Sequence, residues 1–162
     1  MAHPIVEHIP RLRRYARALT GSRADADDLV QDTLERAYAK WSLWRRGSGV
    51  RPWLFAIMHN VWVNQLSRAR LRLAPLDAGR GAASAGRQDA ALEVRDLSAA
   101  LEALPDAQRE VLLLVTLEDL GYADVARILA VPVGTVTSRL AAARARLREL
   151  TGEGGDERQV SP

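Results

Sequence analysis

Apolar residues recur along this 162-residue chain at intervals of three and four positions, the spacing that places them on one face of an α-helix. Alternation of apolar and polar residues, which would indicate β-strands, never lasts for more than a few positions. The chain is therefore predicted to be all-α. Proline, glycine and acidic residues mark the helix ends. The predicted helices cover 10–21, 25–44, 52–70 and 92–104, with another from Pro105 and two on either side of 130–132.

Large apolar side chains are nearly missing from residues 74–91, which are rich in glycine and alanine. Such a segment buries too little surface to offset the entropy lost on ordering it. We therefore expect a flexible linker at 74–91 between an N-terminal domain at 1–73 and a C-terminal domain at 92–151. A disordered polar tail is expected at 152–162. Each domain is small but long enough to fold alone, and we expect the two to reorient unless a partner holds them.

Charge is divided unevenly along the chain, although the formal net charge is only +3. Residues 1–73 hold 13 basic and 6 acidic side chains, whereas residues 95–150 hold 7 and 8. A basic half of this kind suits a polyanion such as nucleic acid. The alternative is an arginine-rich surface that is merely solvated.

Several classes of protein are disfavoured by what the sequence lacks. It has no cysteine, which excludes a disulfide scaffold, a cysteine-ligated metal site and a thiol nucleophile. The three histidines are not spaced as metal ligands, and no nucleophile is paired with a base. No apolar run approaches the ~20 residues needed to cross a bilayer, and the N-terminus lacks a signal-peptide pattern. We therefore predict a cytoplasmic, non-enzymatic protein without membrane insertion, catalytic residues, metal or cofactor.

Residues 122–140 have the pattern of a helix, a short turn and a second helix. Val125, Ile128 and Leu129 form the inner face of the first helix, and Val136 begins that of the second. This is the helix-turn-helix arrangement, whose second helix lies in the DNA major groove with its first residues at base edges. An ordinary helical hairpin is the alternative. The residues placed for DNA contact are Thr135, Thr137, Ser138, Arg139, Ala141 and Arg144, with Arg146 and Arg148 further along for phosphates.

All four tryptophans lie within 22 residues, and arginines surround them. Unpaired bases stack on aromatic rings while arginine follows the backbone, so this segment is typical of single-stranded DNA binding. The alternative, that the rings fill a small core, is favoured for Trp41 and Trp53, which are in phase with the apolar stripe. Trp44, beside a glycine-containing loop, is the better candidate for DNA contact. Asn60 and Asn64 lie one turn apart on the third helix, where amides can read base edges.

Acidic residues cluster at the start of the second predicted helix. The helix macrodipole favours negative charge at a helix N-terminus and explains Asp25 to Asp28. Gln31, Asp32 and Glu35 lie beyond the first turn, where that explanation weakens. We interpret these three residues as a polar stripe for a protein partner.

Four segments of the chain resemble bacterial RNA polymerase sigma factors of the extracytoplasmic-function (ECF) group, in the sigma-70 family. The resemblance covers residues 5–150, and a linker separates the second segment from the third, as in that family. The order of the four motifs argues against a chance match. The segments are DDLVQDTLERAY at 27–38, PWLFAIMHN at 52–60, ALPDAQREV at 103–111 and VPVGTVTSRL at 131–140.

The resemblance implies a division of labour between the domains. The N-terminal domain would bind the beta-prime clamp helices of core RNA polymerase and would melt and read the minus-ten element of promoter DNA. The helix-turn-helix would read the minus-thirty-five element, the beta flap would be a further contact, and an anti-sigma factor a further partner. The implied polymerase contacts are Asp28, Leu29, Gln31, Asp32, Glu35 and Arg36. The implied minus-ten contacts are Trp44, Arg45, Arg46, Ser48, Asn60, Asn64, Arg68 and Arg70. The implied minus-thirty-five contacts are the six residues given above between Thr135 and Arg144.

The chain departs from the family pattern at several positions. Thr137 stands where members usually have a cation, so the DNA contacts of this helix are expected to be weaker or shifted toward Arg139 and Arg144. Ala130 stands where the turn usually has glycine, and alanine is accommodated only if that position avoids a left-handed backbone. His59 replaces a common arginine.

Two other functions remain open at this point. A stand-alone helix-turn-helix regulator would bind duplex DNA without polymerase, but it needs neither the tryptophan cluster nor the acidic stripe. A small-molecule-binding bundle is possible for either domain, although no pocket is indicated. The leading prediction is a sigma factor that binds core RNA polymerase and directs promoter-specific initiation.

Overall fold

The computed structural model describes residues 2–44, 49–73 and 90–152. Within these ranges every regular element is helical, as predicted. Short 3-10 turns lie at Val6–His8 and Trp41–Leu43. The α-helices are α1 (Ile9–Thr20), α2 (Arg23–Ala39), α3 (Val50–Leu73), α4 (Ala90–Ala103), α5 (Asp106–Thr116), α6 (Tyr122–Leu129) and α7 (Val133–Thr151).

Helices α1 to α3 form an N-terminal lobe, and two local signals set the junction between α1 and α2. Gly21 ends α1 in a left-handed conformation, with φ 69°, which glycine adopts readily. The Ser22 hydroxyl accepts a 3.3 Å hydrogen bond from the Asp25 backbone N–H and so caps α2. The prediction of Asp25 as the cap is therefore wrong. The predicted end of this helix at Trp44 is also too late, because α2 ends at Ala39.

Helices α4 to α7 form a C-terminal lobe, in which α6 and α7 are the predicted helix-turn-helix. Val125, Ile128 and Leu129 are buried, as expected for the inner face of α6. Ala130, in the turn, has φ 54° and ψ 47°. The expectation that alanine here avoids a left-handed backbone is therefore wrong, because this turn adopts one. Left-handed backbone is unfavourable for alanine by roughly 1–2 kcal/mol.

The two lobes pack against each other. Helix α1 contacts α4 and α5, and α3 contacts α6. Buried apolar side chains form one cluster that runs through both lobes, with Leu12 and Met58 on one side and Leu114 and Val125 on the other. The lobes, which were expected to reorient unless a partner held them, share one core in this structure.

Arg109, on α5, is buried at the boundary between the lobes and uses all five of its N–H groups. One acceptor is the Leu19 carbonyl near the end of α1, where a helix leaves carbonyls without partners. A C-terminal-lobe side chain therefore completes an N-terminal-lobe helix. The five acceptors are the carbonyls of Leu19, Leu101, Glu102 and Leu104 and the carboxylate of Asp106, at 2.7 to 3.1 Å.

The predicted linker at 74–91 and tail at 152–162 lie almost wholly outside the described residues. Helix α4 already begins at Ala90, and Gly152 follows the end of α7. In the described ranges no single helix is long and apolar enough to cross a membrane. Helices α6 and α7 reach that composition only together, and they are bent by 102° at the turn between them.

Candidate nucleic-acid interface

The start of α7 is the part of the helix-turn-helix that can reach base edges. Pro132 precedes the helix in an extended conformation, and its carbonyl accepts the backbone N–H groups of Thr135 and Val136 at 3.0 and 3.3 Å. The first turn is thereby fixed with its polar side chains outward. Among the predicted contacts, Thr137, Ser138, Ala141 and Arg144 are exposed, whereas Thr135 and Arg139 are half-buried.

Arg139 belongs to a charge cluster inside the protein as well as to the predicted DNA face. Its positive charge acts on Glu110 of α5, which is buried and hydrogen-bonded to Nδ1 of His59 across the lobe boundary. Burial raises the pKa of the Glu110 carboxyl, and the contacts with His59 and Arg139 offset this only in part. A role for Arg139 in DNA contact stays a prediction.

The outer surface of α3 carries polar side chains in a row. Asn60, Asn64 and Arg68 follow each other at intervals of four, so they line one face of the helix, and all three are exposed. Arg70 is also exposed, and it lies 3.7 Å from the Asp106 carboxylate of the other lobe. The other predicted residues of this site, Arg45, Arg46 and Ser48, lie outside the described residues.

The tryptophans form a packed cluster. Trp41 and Trp44 are stacked with ring centroids 5.0 Å apart, and Trp53 meets Trp41 edge-on at 6.0 Å. Trp41 and Trp53 pack against the core, as the favoured interpretation held, and Trp62 is buried. Trp44 is half-buried. A base that stacked on Trp44 would therefore extend an existing aromatic stack.

The polar stripe on α2 faces outward. Asp28, Gln31 and Glu35 are exposed, whereas Asp32 and Arg36 are half-buried. Asp32 accepts a 3.0 Å hydrogen bond from the Gln65 amide of α3. The prediction needs correction at Leu29, whose side chain is fully buried in the core and can contact no partner. Asp28 and Gln31 face solvent, but Leu29 lies on the apolar face of the helix.

A cleft of about 920 Å³ opens between the lobes. Its N-terminal-lobe wall includes Asp28 and Asp32 of the α2 stripe and Arg68 of the α3 row. Glu102 and Asp106 line it from the C-terminal lobe. The cleft thus brings predicted polymerase contacts and predicted DNA contacts next to the acidic edge of the second lobe.

The sequence analysis missed three charged residues that the structure buries, Arg109, Glu110 and Glu118. One signal was available, because Glu110 precedes Leu114 by four positions and therefore falls on the apolar face of its helix. No comparable signal marks Glu118, which lies in the segment between α5 and α6. In the described part of the chain, no group of three or more His, Asp or Glu side chains could hold a metal ion.

A lobe with an exposed row of amides and arginines, joined to a helix-turn-helix lobe, defines a DNA-binding protein with two separate candidate DNA surfaces. Residues 5–59 match the family described as the Sigma2 domain of PhyR, and residues 95–147 match Sigma-70, region 4. The ECF sigma factor EcfG of Rhodopseudomonas palustris is 37% identical over 155 residues, which cover 94% of this chain and 86% of that protein. The chain belongs to the ECF RNA polymerase sigma factors, and its function is to direct promoter-specific transcription.

Other relatives agree with this assignment. The sigma factor SigM of Mycobacterium tuberculosis is 37% identical over 147 residues, covering 90% of this chain and 74% of that protein. The sigma factor RpoE of Bartonella quintana, solved with the anti-sigma factor NepR, superposes with a TM-score of 0.77 at 32% identity and covers 94% and 95% of the two chains. CnrH, solved with the cytosolic domain of CnrY, superposes with a TM-score of 0.69 at 27% identity. The match covers 92% of this chain and 85% of that chain. The all-α fold with separate sigma domains is thus confirmed.

Proposed function

We propose that the outer face of α2 binds the beta-prime clamp helices of core RNA polymerase. Asp28, Gln31 and Glu35 are spaced by three and four residues, so they lie together on the helix surface opposite the buried Leu29 and Thr33. An exposed polar face opposite a fully buried one leaves these side chains available to a partner. Asp32 and Arg36 flank this face.

We further propose that α3 engages the minus-ten element and α7 the minus-thirty-five element. The observation that carries this proposal is that each helix presents an exposed polar row on a different lobe: Asn60, Asn64 and Arg68 on α3, and Thr137 and Ser138 on α7. Amides and hydroxyls can discriminate base edges, whereas arginines add phosphate contacts that carry no sequence information directly.

Transcription by reconstituted holoenzyme tests this division. Promoters are mutated one element at a time and transcribed with Asn60→Ala or Ser138→Ala. Asn60→Ala is expected to relax sequence preference at the minus-ten element only, and Ser138→Ala at the minus-thirty-five element only. Arg68→Ala should weaken all promoters alike and flatten the salt dependence. A change of selectivity at the upstream element in Asn60→Ala would refute the assignment.

An anti-sigma factor is proposed as a further partner. The RpoE and CnrH structures contain the anti-sigma factor NepR and the cytosolic domain of CnrY. The cleft between the lobes offers a site for such a partner, since the half-buried Leu66 supplies apolar surface beside the carboxylates of Asp25 and Asp28. NepR of Bartonella quintana is a suitable probe, with binding measured by calorimetry. Binding that core polymerase competes away would support the proposal, and no binding of NepR or of CnrY would count against it.

We also propose that the chain acts in the cytoplasm and has no catalytic centre of its own. Core polymerase supplies the chemistry of transcription, and the sigma factor supplies the choice of promoter. The support is the chain's membership of the ECF sigma factors. Fractionation of cells that express a tagged chain tests the location, with co-sedimentation with polymerase as the expected result.

A further inference from the structure

The residues that precede α1 pack against the tryptophan cluster. His3 is half-buried, and the centroid of its ring lies 4.4 Å from that of Trp41, in an edge-on contact. The same imidazole lies 5.0 Å from the ring of Tyr38, near the end of α2. Trp41 in turn stacks on Trp44. The imidazole is therefore linked to Trp44 through one shared indole.

Local restraints fix the place of the His3 ring. Because Pro4 follows, the backbone of His3 is restricted to extended conformations. His3 Nδ1 accepts a 3.3 Å hydrogen bond from the Ile5 backbone N–H, and the His3 carbonyl accepts one of 2.9 Å from Val6. Ile5 is fully buried in the core and anchors the segment. Rotation of the ring away from Trp41 would break the hydrogen bond to Ile5.

Trp41 is held by rings from two separate parts of the lobe. His3 approaches it from the segment before α1, and Trp53 of α3 meets it edge-on. Edge-on contacts between aromatic rings favour particular relative orientations. The orientation of Trp41 is therefore fixed from outside the stack, and Trp44 takes its own orientation by stacking on Trp41.

We propose that His3 is a positioning residue: its imidazole holds Trp41, and through it Trp44, in the orientation on which an unpaired base of promoter DNA stacks. The proposal rests on the predicted DNA contact of Trp44. A ring that is already ordered loses less conformational entropy when a base binds, so holding Trp41 in place strengthens stacking on Trp44. His3 acts through Trp41 and is not itself a base contact.

Substitutions at His3 separate its ring from its hydrogen bond. His3→Phe keeps an aromatic ring but loses the Nδ1 acceptor, whereas His3→Asn keeps a polar acceptor but loses the ring. His3→Ser is a second variant without a ring. The matched control is His8→Asn, since His8 is half-buried in the same segment and lies 3.5 Å from Glu7.

Near-ultraviolet circular dichroism of the full chain reports the fixed packing of aromatic rings. The contribution of Trp44 is the spectrum of each variant minus that of the same variant carrying Trp44→Leu. This contribution should be much weaker in His3→Asn and His3→Ser, and it should be kept in His3→Phe and His8→Asn. An unchanged Trp44 contribution in the ringless variants would overturn the proposal. An equal loss in His3→Phe would also overturn it, because the hydrogen bond and not the ring would then hold the stack.

Binding of the full chain to labelled single-stranded oligothymidine tests the link to DNA. His3→Asn should bind about three- to tenfold more weakly, the factor that one aromatic contact supplies, and His3→Phe should restore the affinity. The slope of log affinity against log salt should stay unchanged, since no phosphate contact is lost. Unchanged affinity in His3→Asn would refute the positioning role.

A wrong assignment of Trp44 gives a different result. If Trp44→Leu binds oligothymidine as tightly as the wild type, the predicted DNA contact of Trp44 is wrong and the proposal falls with it. Circular dichroism needs no DNA, so an unchanged Trp44 contribution there overturns the positioning role of His3 alone.

Discussion

The two lobes differ in what they bury. In the described part of the N-terminal lobe the core is apolar except for Thr33, whose hydroxyl donates a 2.7 Å hydrogen bond to the Leu29 carbonyl of its own helix. The C-terminal lobe buries Arg109, Glu110 and Glu118. Each of these three charged residues contacts the N-terminal lobe, through the Leu19 carbonyl, His59 and the α1 arginines respectively.

This difference indicates that the two lobes depend unequally on the contact between them. In its described part, the N-terminal lobe keeps its charged side chains exposed or half-buried, although the Leu19 carbonyl takes its donor from Arg109. The C-terminal lobe has charged groups whose partners lie on the other lobe. Separation of the lobes should therefore disturb the C-terminal lobe more, and each prediction below tests one side of this comparison.

Loss of Arg109 should have the largest effect. Arg109→Met keeps the length of the side chain but leaves five buried or half-buried acceptors without their donor, so we expect unfolding free energy to fall by about 4 kcal/mol. Denaturant unfolding followed by circular dichroism measures it. Arg95→Met, at an exposed position of α4, is the control and should change stability by less than about 0.5 kcal/mol. A small effect of Arg109→Met would contradict the asymmetry between the lobes.

In the N-terminal lobe, apolar packing should dominate stability. Leu29→Ala removes a fully buried side chain and should lower the unfolding free energy by about 3 kcal/mol. Gln31→Ala, two residues along the same helix and exposed, should leave the melt nearly unchanged but weaken binding to core polymerase. The pair separates folding from partner contact. If Leu29→Ala and Gln31→Ala changed both stability and polymerase binding equally, α2 would not have one face for packing and another for a partner.

Local signals made much of the fold predictable. Three-and-four spacing identified the helices, and Gly21 and Pro105 marked helix ends correctly because their backbone preferences act within one turn. The helix-turn-helix was predicted from positions 122–140, where apolar residues, a turn and exposed polar residues follow each other closely. The exposure of candidate residues on α2, α3 and α7 follows from helical phase, while their contacts with polymerase and DNA stay predictions.

The charged contacts between the lobes were not predictable, because their residues lie far apart in the sequence. Arg14 and Leu117, whose carbonyl accepts a hydrogen bond from the Arg14 side chain, are 103 positions apart. Charged residues are usually exposed, so Glu118 alone carried no sign of burial. The same limit explains Leu29, for which the family resemblance suggested partner contact while packing decided burial. Long-range packing of two lobes is a property of the folded chain.

The turns that follow α1 and α6 also differ between the two lobes. Gly21 supplies a left-handed backbone in the N-terminal lobe, whereas Ala130 adopts it with a side chain in the C-terminal lobe. Ala130→Gly should relieve that strain and stabilise the chain by about 1 kcal/mol. Thermal unfolding measures this. The same substitution at Ala142, inside α7, should destabilise by about 1 kcal/mol, so a stabilised Ala142→Gly or a destabilised Ala130→Gly would contradict the argument.

The smallest expected effect is a pH dependence of Glu118. Burial raises the pKa of its carboxyl above the ordinary value, and Arg14, Arg11 and Arg51 offset this only in part. The folded state therefore binds the proton more tightly than the unfolded state, so Glu118 disfavours folding at neutral pH and this penalty fades as pH falls through the folded pKa toward the ordinary carboxyl value. Tyr15 stays neutral throughout, because burial raises its pKa well above the usual value.

The direction of this pH dependence is measured as a difference in unfolding free energy between wild type and variant, because other carboxylates also titrate in acid. The unfolding free energy of the wild type minus that of Glu118→Gln should increase as pH is lowered through the window just above the ordinary carboxyl pKa, and it should be level near neutral pH. Glu149→Gln should show no such increase, since its carboxylate is exposed on α7. If this difference in unfolding free energy instead grew as pH rises, the attraction of the three arginines would outweigh the cost of burying the Glu118 carboxylate. Glu118 would then form ion pairs with Arg11 and Arg14 that stabilise the packing of the two lobes.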